Sequence, residues 1–129
     1  MFKNLVAAAI VSTALAGATL AVAQAPMPAK VADTAKGKAL VDAKGMTLYV
    51  FDKDSGGKSA CNGPCATNWP PLMASGDANA SGDWTVVTRD DGGKQWAYKG
   101  KPLYTWVKDT KPGETTGDGV QGVWHIATP

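Results

Sequence analysis

From Lys38 onward the chain alternates short apolar runs with turn residues, a period-two pattern that predicts strands and leaves little room for helix. Ala39-Leu40-Val41 precedes Lys44-Gly45, and Thr47-Leu48-Tyr49-Val50-Phe51 follows it. A hairpin with a two-residue link is expected there, Gly45 supplying the positive φ of a tight turn. The same grammar returns as Trp84-Thr-Val-Val-Thr88, the turn Asp90-Asp-Gly-Gly93, Gln95-Trp-Ala-Tyr98, Lys99-Gly100 and Pro102-Leu-Tyr-Thr-Trp106, a three-strand meander. Gly122-Val-Trp-His-Ile126 closes the series. Strands are expected near 38–42, 46–51, 84–89, 94–98, 102–106 and 122–127. Only Gly63-Pro-Cys-Ala-Thr-Asn68 invites helix, and Pro70-Pro71 stops it after about one turn.

Laying the chain on itself with a shift of 55 residues pairs Lys44-Gly45 with Lys99-Gly100, Leu48-Tyr49 with Leu103-Tyr104, Phe51 with Trp106, Lys53 with Lys108 and Asp54 with Asp109. Trp69 then falls on Trp124 without a gap. This is an internal duplication. On a strand, Tyr49 and Phe51 share one face, as do Tyr104 and Trp106, so each copy offers an aromatic pair to the same side. Leu48 and Val50 cover the opposite face, which marks a central strand. The fold class that follows is all-β, a small sandwich or partly closed barrel built from two pseudo-equivalent repeats of about 55 residues, near 38–83 and 84–129.

The start of the chain reads differently. Lys3 is followed by an apolar run from Leu5 to Val22 that ends Ala21-Val22-Ala23, the layout of a secretory signal cleaved near Ala23. The run is rich in Ala and Gly, too weakly apolar for a firm span of ~20 residues, so no stable membrane anchor is expected. Residues 24–37 carry Pro, Ala and Lys without an apolar period and are expected to form a flexible leader. A periplasmic or secreted location follows. Cleavage leaves 12 Lys and Arg against 11 Asp and Glu, a balance that argues against a nucleic-acid partner. Composition adds one constraint: 5 Trp must be housed in a domain poor in Leu, Ile and Phe. Packing the core is their plainest use, and a sugar- or peptide-stacking platform is the functional alternative.

The two copies, Tyr49-Val-Phe51-Asp-Lys-Asp54 and Tyr104-Thr-Trp106-Val-Lys-Asp109, carry a resemblance. They resemble the Tyr-x-(Phe/Trp/Tyr)-x-x-Asp motif of the bacterial secreted-repeat proteins known as predicted lipoproteins. Cys61-x-x-x-Cys65 and Trp69-Pro-Pro-Leu72 extend the likeness, which covers about Lys38 to Pro129. The resemblance implies export and a repeat architecture rather than a reaction, since the family's function is mostly unassigned. No lipidation Cys stands at the cleavage point, and the second copy has Thr116 and Val120 where the first has its cysteines.

The candidate chemistry is sparse. Asp54 and Asp109 sit where strand gives way to loop and are expected to accept bonds from loop N–H groups, with cation binding as the alternative reading. Cys61 and Cys65 favour a disulfide in an oxidising compartment. A thiol oxidoreductase or a copper site remains open as the other use of the pair, with Met73 and His125 as possible further copper ligands, because soft sulfur donors select Cu(I). His125 shares its strand with Trp124 and points to the other face, where a lone His is more often a surface residue than a catalyst. No nucleophile motif, paired carboxylates or phosphate-cradling loop is evident, and Gly56-Gly57 and Gly92-Gly93 read as turn glycines. The expected function is a non-catalytic binding or interaction module for an unknown protein or small-molecule ligand, with no cofactor; thiol redox or copper handling through Cys61 and Cys65 is the alternative.

Overall fold

The computed structural model describes residues 28–129. The signal sequence expected over 1–23 and the first part of the expected leader lie outside these residues. Seven short strands, a single helical turn and a 3-10 turn make up the regular structure: β1 Lys30–Thr34, β2 Gly37–Val41, β3 Tyr49–Phe51, α1 Pro64–Asn68, β4 Trp84–Thr88, β5 Lys94–Tyr98, β6 Lys101–Pro102, the 3-10 turn Val120–Gly122 and β7 Trp124–Ile126. The strands form three small antiparallel sheets, β1-β2, β3-β7 and β4-β5-β6, with no closed barrel among the described residues. The protein is mostly β, in two repeats.

The flexible leader expected over 24–37 gives way to a strand. Residues 30–34 belong to a strand rather than to a flexible leader: β1 pairs along its whole length with β2, Lys30 opposite Val41 and Thr34 opposite Gly37. The segment lacks an apolar period because its hold is on the main chain and on the turn. Thr34 Oγ1 donates to the Gly37 carbonyl at 2.7 Å and accepts from the Lys36 N–H at 3.1 Å. Order therefore starts before Lys38, and Ala29 already lies in the core.

The Lys-Gly links differ between the copies. Lys99 and Gly100 both have positive φ, 51° and 83°, and join Tyr98 to Lys101 as a two-residue hairpin. Lys44 and Gly45 form only part of a longer turn, in which the Asp42 carboxylate accepts from the N–H groups of Lys44 and Met46 at 2.9 and 3.0 Å. The Leu48 N–H bonds the Leu40 carbonyl, whereas the equivalent Leu103 N–H bonds Trp96, so the first copy carries one more residue in its turn.

At the centre of the molecule the two motif strands meet. Tyr49 N–H donates to the Tyr104 carbonyl at 2.8 Å and Tyr104 N–H to the Tyr49 carbonyl at 3.0 Å, which places a local twofold axis between them. Other bonds obey the same symmetry. Ala127 N–H to Leu48 O at 2.8 Å matches Leu72 N–H to Leu103 O at 2.9 Å, and Asp52 N–H to Val123 O at 2.8 Å matches Val107 N–H to Asn68 O at 3.1 Å. Each repeat thus sends its last segment across to pair with the central strand of the other. The second of these pairings is interrupted for a covalent reason. Thr105 N–H donates to the Pro70 carbonyl, but proline has no N–H to return, whereas β3 and β7 pair through Val50 and His125. The strand expected over 102–106 is therefore only β6 followed by an isolated pairing at Tyr104.

The paired central strands divide the interior. Leu48 and Leu103, with Ala29, Leu40, Trp84 and Ala127, form an aliphatic core on one side, against which Val50, Leu72, Trp96 and Tyr98 pack. Tyr49 and Tyr104, with Trp69, Trp124 and Cys61, form an aromatic core on the other. The period-two alternation along each strand supplies one residue to each core in turn.

Candidate functional site

The motif residues converge on the twofold axis. Trp69 and Trp124 stack face to face, ring centroids 3.8 Å apart and planes within 3°. Trp106 stacks on the outer face of Trp69 at 3.9 Å, and Phe51 on the outer face of Trp124 at 4.2 Å. The result is a four-ring column, Phe51-Trp124-Trp69-Trp106, that the axis maps onto itself. Tyr49 meets Trp69 edge-on at 5.4 Å, and Tyr104 meets Trp124 in the same way at 5.1 Å. Edge-to-face contacts of this kind add to the energy of burial.

Each tyrosine finds the carboxylate of the opposite repeat. Tyr49 Oη donates to Asp109 Oδ2 at 2.5 Å, and Tyr104 Oη donates to Asp54 Oδ2 at 2.7 Å. The second oxygen of each Asp closes its own loop: Asp54 Oδ1 accepts from the Ala60 N–H at 2.6 Å, and Asp109 Oδ1 from the N–H and the hydroxyl of Thr116 at 2.9 and 2.6 Å. Burial is the main cause that raises both phenols well above the usual tyrosine range, and it also lifts the Asp54 carboxyl above the ordinary carboxylate value.

The first loop is held by a residue, just after β4, that sequence reasoning passed over. Arg89 is buried, and its Nη1 donates to Ser59 Oγ at 2.9 Å and Gln95 Oε1 at 2.8 Å, while Nη2 donates to the Cys61 carbonyl at 2.6 Å. Ser59 Oγ also accepts from the Cys61 N–H at 3.3 Å. With both lone pairs engaged, Ser59 gives its own proton to Tyr104 Oη, 2.6 Å away, completing a chain from Arg89 through Ser59 and Tyr104 to Asp54. The signal in the sequence was that Arg89 is the only arginine among 13 basic residues. A planar five-donor group placed where lysine serves everywhere else marks a fixed set of acceptors. On the other side of the axis the Gly117 N–H takes the place of Ser59, donating to Tyr49 Oη at 3.2 Å. A side chain at 117 would lie 2.9 Å from the Trp69 ring and 3.0 Å from Tyr49 Cζ, so only glycine fits.

Cys61 and Cys65 are joined in a disulfide at the edge of the aromatic core, just before and within α1. The other two residues weighed as copper ligands lie in other surroundings. Met73 is exposed beside Gly93 and pairs with Gln95, and His125 Nε2 sits 2.7 Å from Asp52 Oδ2. Among the described residues no three His, Cys, Asp or Glu side chains form a metal-binding group. Of the set weighed as the alternative, the two sulfurs are bonded to each other, as the disulfide reading expected, and Pro70 occupies the position that His125 holds in the other repeat.

An open groove lies on the aliphatic side of the central strands. It encloses about 310 Å³, with Val50 and Leu103 of the aliphatic core as its floor and Ile126, Asp52, His125, Lys99 and Lys101 among its other lining residues. The two-residue hairpin positions the lysines, and Lys99 Nζ rests 5.3 Å from the centroid of the Tyr98 ring. Apolar floor and polar rim are the usual make-up of a small-ligand cleft of this size.

Among the described residues no helix is long and apolar enough to cross a membrane. No curated protein and no solved structure matches this chain. Residues 30–73 and 85–128, more than half of the chain and one stretch from each side of the twofold axis, match a family described as a secreted repeat of unknown function, and the chain belongs to this Lipoprotein_15 family.

Proposed function

We propose that the protein is a non-catalytic binding module of the periplasm or extracellular space, released by cleavage near Ala23, and that the groove beside the β5–β6 hairpin is its ligand seat. The observation that carries this reading is how the motif's polar groups are used. Both Tyr hydroxyls, both motif carboxylates and the Arg89 guanidinium are engaged with one another or with loop N–H and C=O groups. The groove instead leaves Lys99 and Lys101 at a water-facing rim, beside the paired Asp52 and His125, around an apolar floor. The disulfide and the family's secreted character support an oxidising compartment. A pull-down from the secreted or periplasmic fraction, beside a ligand panel read by thermal shift, tests it. Capture or stabilisation by the native protein that is lost in Val50→Trp, which fills the groove, supports the reading. Turnover of a substrate held in the groove, or binding indifferent to that change, defeats it.

The thiol-redox alternative is favoured by one observation: Cys65 is only half-buried, so the disulfide can be approached from one sulfur while Cys61 is closed off. Thiol titration after incubation with glutathione buffers separates the two readings. A bond that stays oxidised removes the redox one.

A further inference from the structure

The aromatic column has a feature that filling a core does not require. Three indoles lie face to face in an unbroken series, Trp106-Trp69-Trp124, with centroid spacings of 3.9 and 3.8 Å, and a phenol stands edge-on against each of the inner two. Indole and phenol are the side-chain rings most readily oxidised by one electron, and stacked rings at van der Waals contact couple well. Phe51 caps the far end at 4.2 Å, and a benzene ring is far harder to oxidise, so the series has one open end. That end is Trp106, half-buried, while Trp69 and Trp124 are closed off from water. A tyrosine that loses an electron must also lose its hydroxyl proton, and here each hydroxyl already donates to a carboxylate oxygen of the opposite repeat. Burial keeps both phenols protonated well beyond neutral pH, so the proton is present to be given.

We infer that the column is a relay for single-electron oxidising equivalents, running from Trp106 through Trp69 and Trp124 to Tyr49 and Tyr104, with Asp109 and Asp54 as the proton acceptors. A high-potential metal complex takes one electron from Trp106 and is itself reduced by one. Trp69 refills Trp106, and Trp124 refills Trp69. Tyr104 then passes one electron to Trp124 as its O–H bond breaks and the proton moves to Asp54 Oδ2, leaving a neutral tyrosyl radical and a protonated carboxyl. Where the vacancy is met at Trp69 before it moves on, Tyr49 supplies the electron in place of Tyr104, with its proton going to Asp109 Oδ2. An electron from a hydroquinone-type donor, with the proton returning from the Asp, restores the starting state. The protein ends unchanged and one electron has passed from donor to oxidant. This activity is separate from ligand binding in the groove and stands whether or not that reading holds.

The test uses the full chain with photogenerated tris(bipyridine)ruthenium(III) as oxidant and freeze-quench electron paramagnetic resonance as readout. A tyrosyl signal is expected in the native protein, with loss of that signal in favour of a tryptophanyl one in the Tyr49→Phe, Tyr104→Phe double variant. Trp106→Phe, which keeps a ring in the column, is expected to lose the tyrosyl signal, whereas Trp96→Phe, in the other core, keeps it. A tyrosyl signal that survives in the double variant belongs to Tyr98 and overturns the relay, as does one that survives in Trp106→Phe. A measurement that needs no variant is the rate of tyrosyl formation in heavy water. Slowing is expected because a proton moves with the electron, and an unchanged rate overturns the assigned proton step.

Discussion

The two loops that leave the motif strands start alike and close differently. After Phe51 the chain runs through a disulfide and a helical turn, and its Tyr-Asp bond is backed by Ser59 and the buried Arg89. After Trp106 there is neither cysteine nor buried cation; Thr116 closes the Asp109 loop, and a bare backbone N–H at Gly117 reaches the phenol. The six-residue motif, with the tryptophan that follows it in each copy, dictates only what the twofold axis repeats: the ring column, the Tyr-Asp bond across it and one oxygen left over to cap a loop. Each loop was then free to find its own way of satisfying the tyrosine. One did so with a charged side chain and a covalent link, the other by bringing the main chain so close that a Cβ is excluded.

If the axis governs the core, the central rings should carry equal loads. Trp69→Ala and Trp124→Ala should each destabilise by about 3–5 kcal/mol in denaturant unfolding, the range for removing a large buried ring. A wide gap between them would break the equivalence. Arg89→Met should come next, at about 3 kcal/mol, because it strips donors from the Cys61 carbonyl and Gln95 Oε1 inside the protein. Its effect should be one-sided: amide exchange at Ala60 and Cys61 should quicken while Thr116 and Gly117 stay protected. Replacing both cysteines by Ala should cost about 2 kcal/mol or less, since the closed loop is short. Calorimetry should find the second repeat's loop no less stable than before.

The smallest expected effect lies in the carboxyl of the first loop. Burial raises Asp54 above its ordinary 3.8, so the folded protein holds that proton more firmly than the unfolded chain does. Its contribution to stability is complete below the ordinary value and is lost as pH rises through the raised one. Exposed acids such as Asp90, held low by Lys58, act in the opposite sense, so the difference between native protein and Asp54→Asn isolates the effect. The substitution should shrink the decline in stability between moderately acidic and neutral pH. Both buried tyrosines should add a second loss of stability above about pH 10, where unfolded phenols ionise and folded ones do not. Tyr104→Phe should remove part of that alkaline loss.

Much of this arrangement was legible along the chain. Strand β5 occupies the residues its alternation predicts, and Lys99-Gly100 turns in two residues as a hairpin link should. The shared face of Tyr49 and Phe51 follows from the period of a strand. Other features were not legible, each for a physical reason. β1 has no apolar stripe, because hydrogen bonds and a Thr34 turn hold it. Lys44-Gly45 has the same letters as Lys99-Gly100, yet one added residue and the Asp42 carboxylate make a longer turn. Arg89 gave only the hint of its rarity, since its acceptors other than Gln95 come from a segment 27 to 30 residues away in sequence.

Short-range chemistry was enough to establish that the chain is built of strands, that it contains two copies of one unit, and which rings of each copy lie side by side. It could not decide with whom each copy pairs. Main-chain donors and acceptors are the same in both repeats, and the motif tyrosine would meet an equivalent aspartate whether the partner were its own or the other's. Only in three dimensions is the choice made, when Tyr49 and Tyr104 bond back to back and carry each closing strand, and each carboxylate, to the far side of the axis.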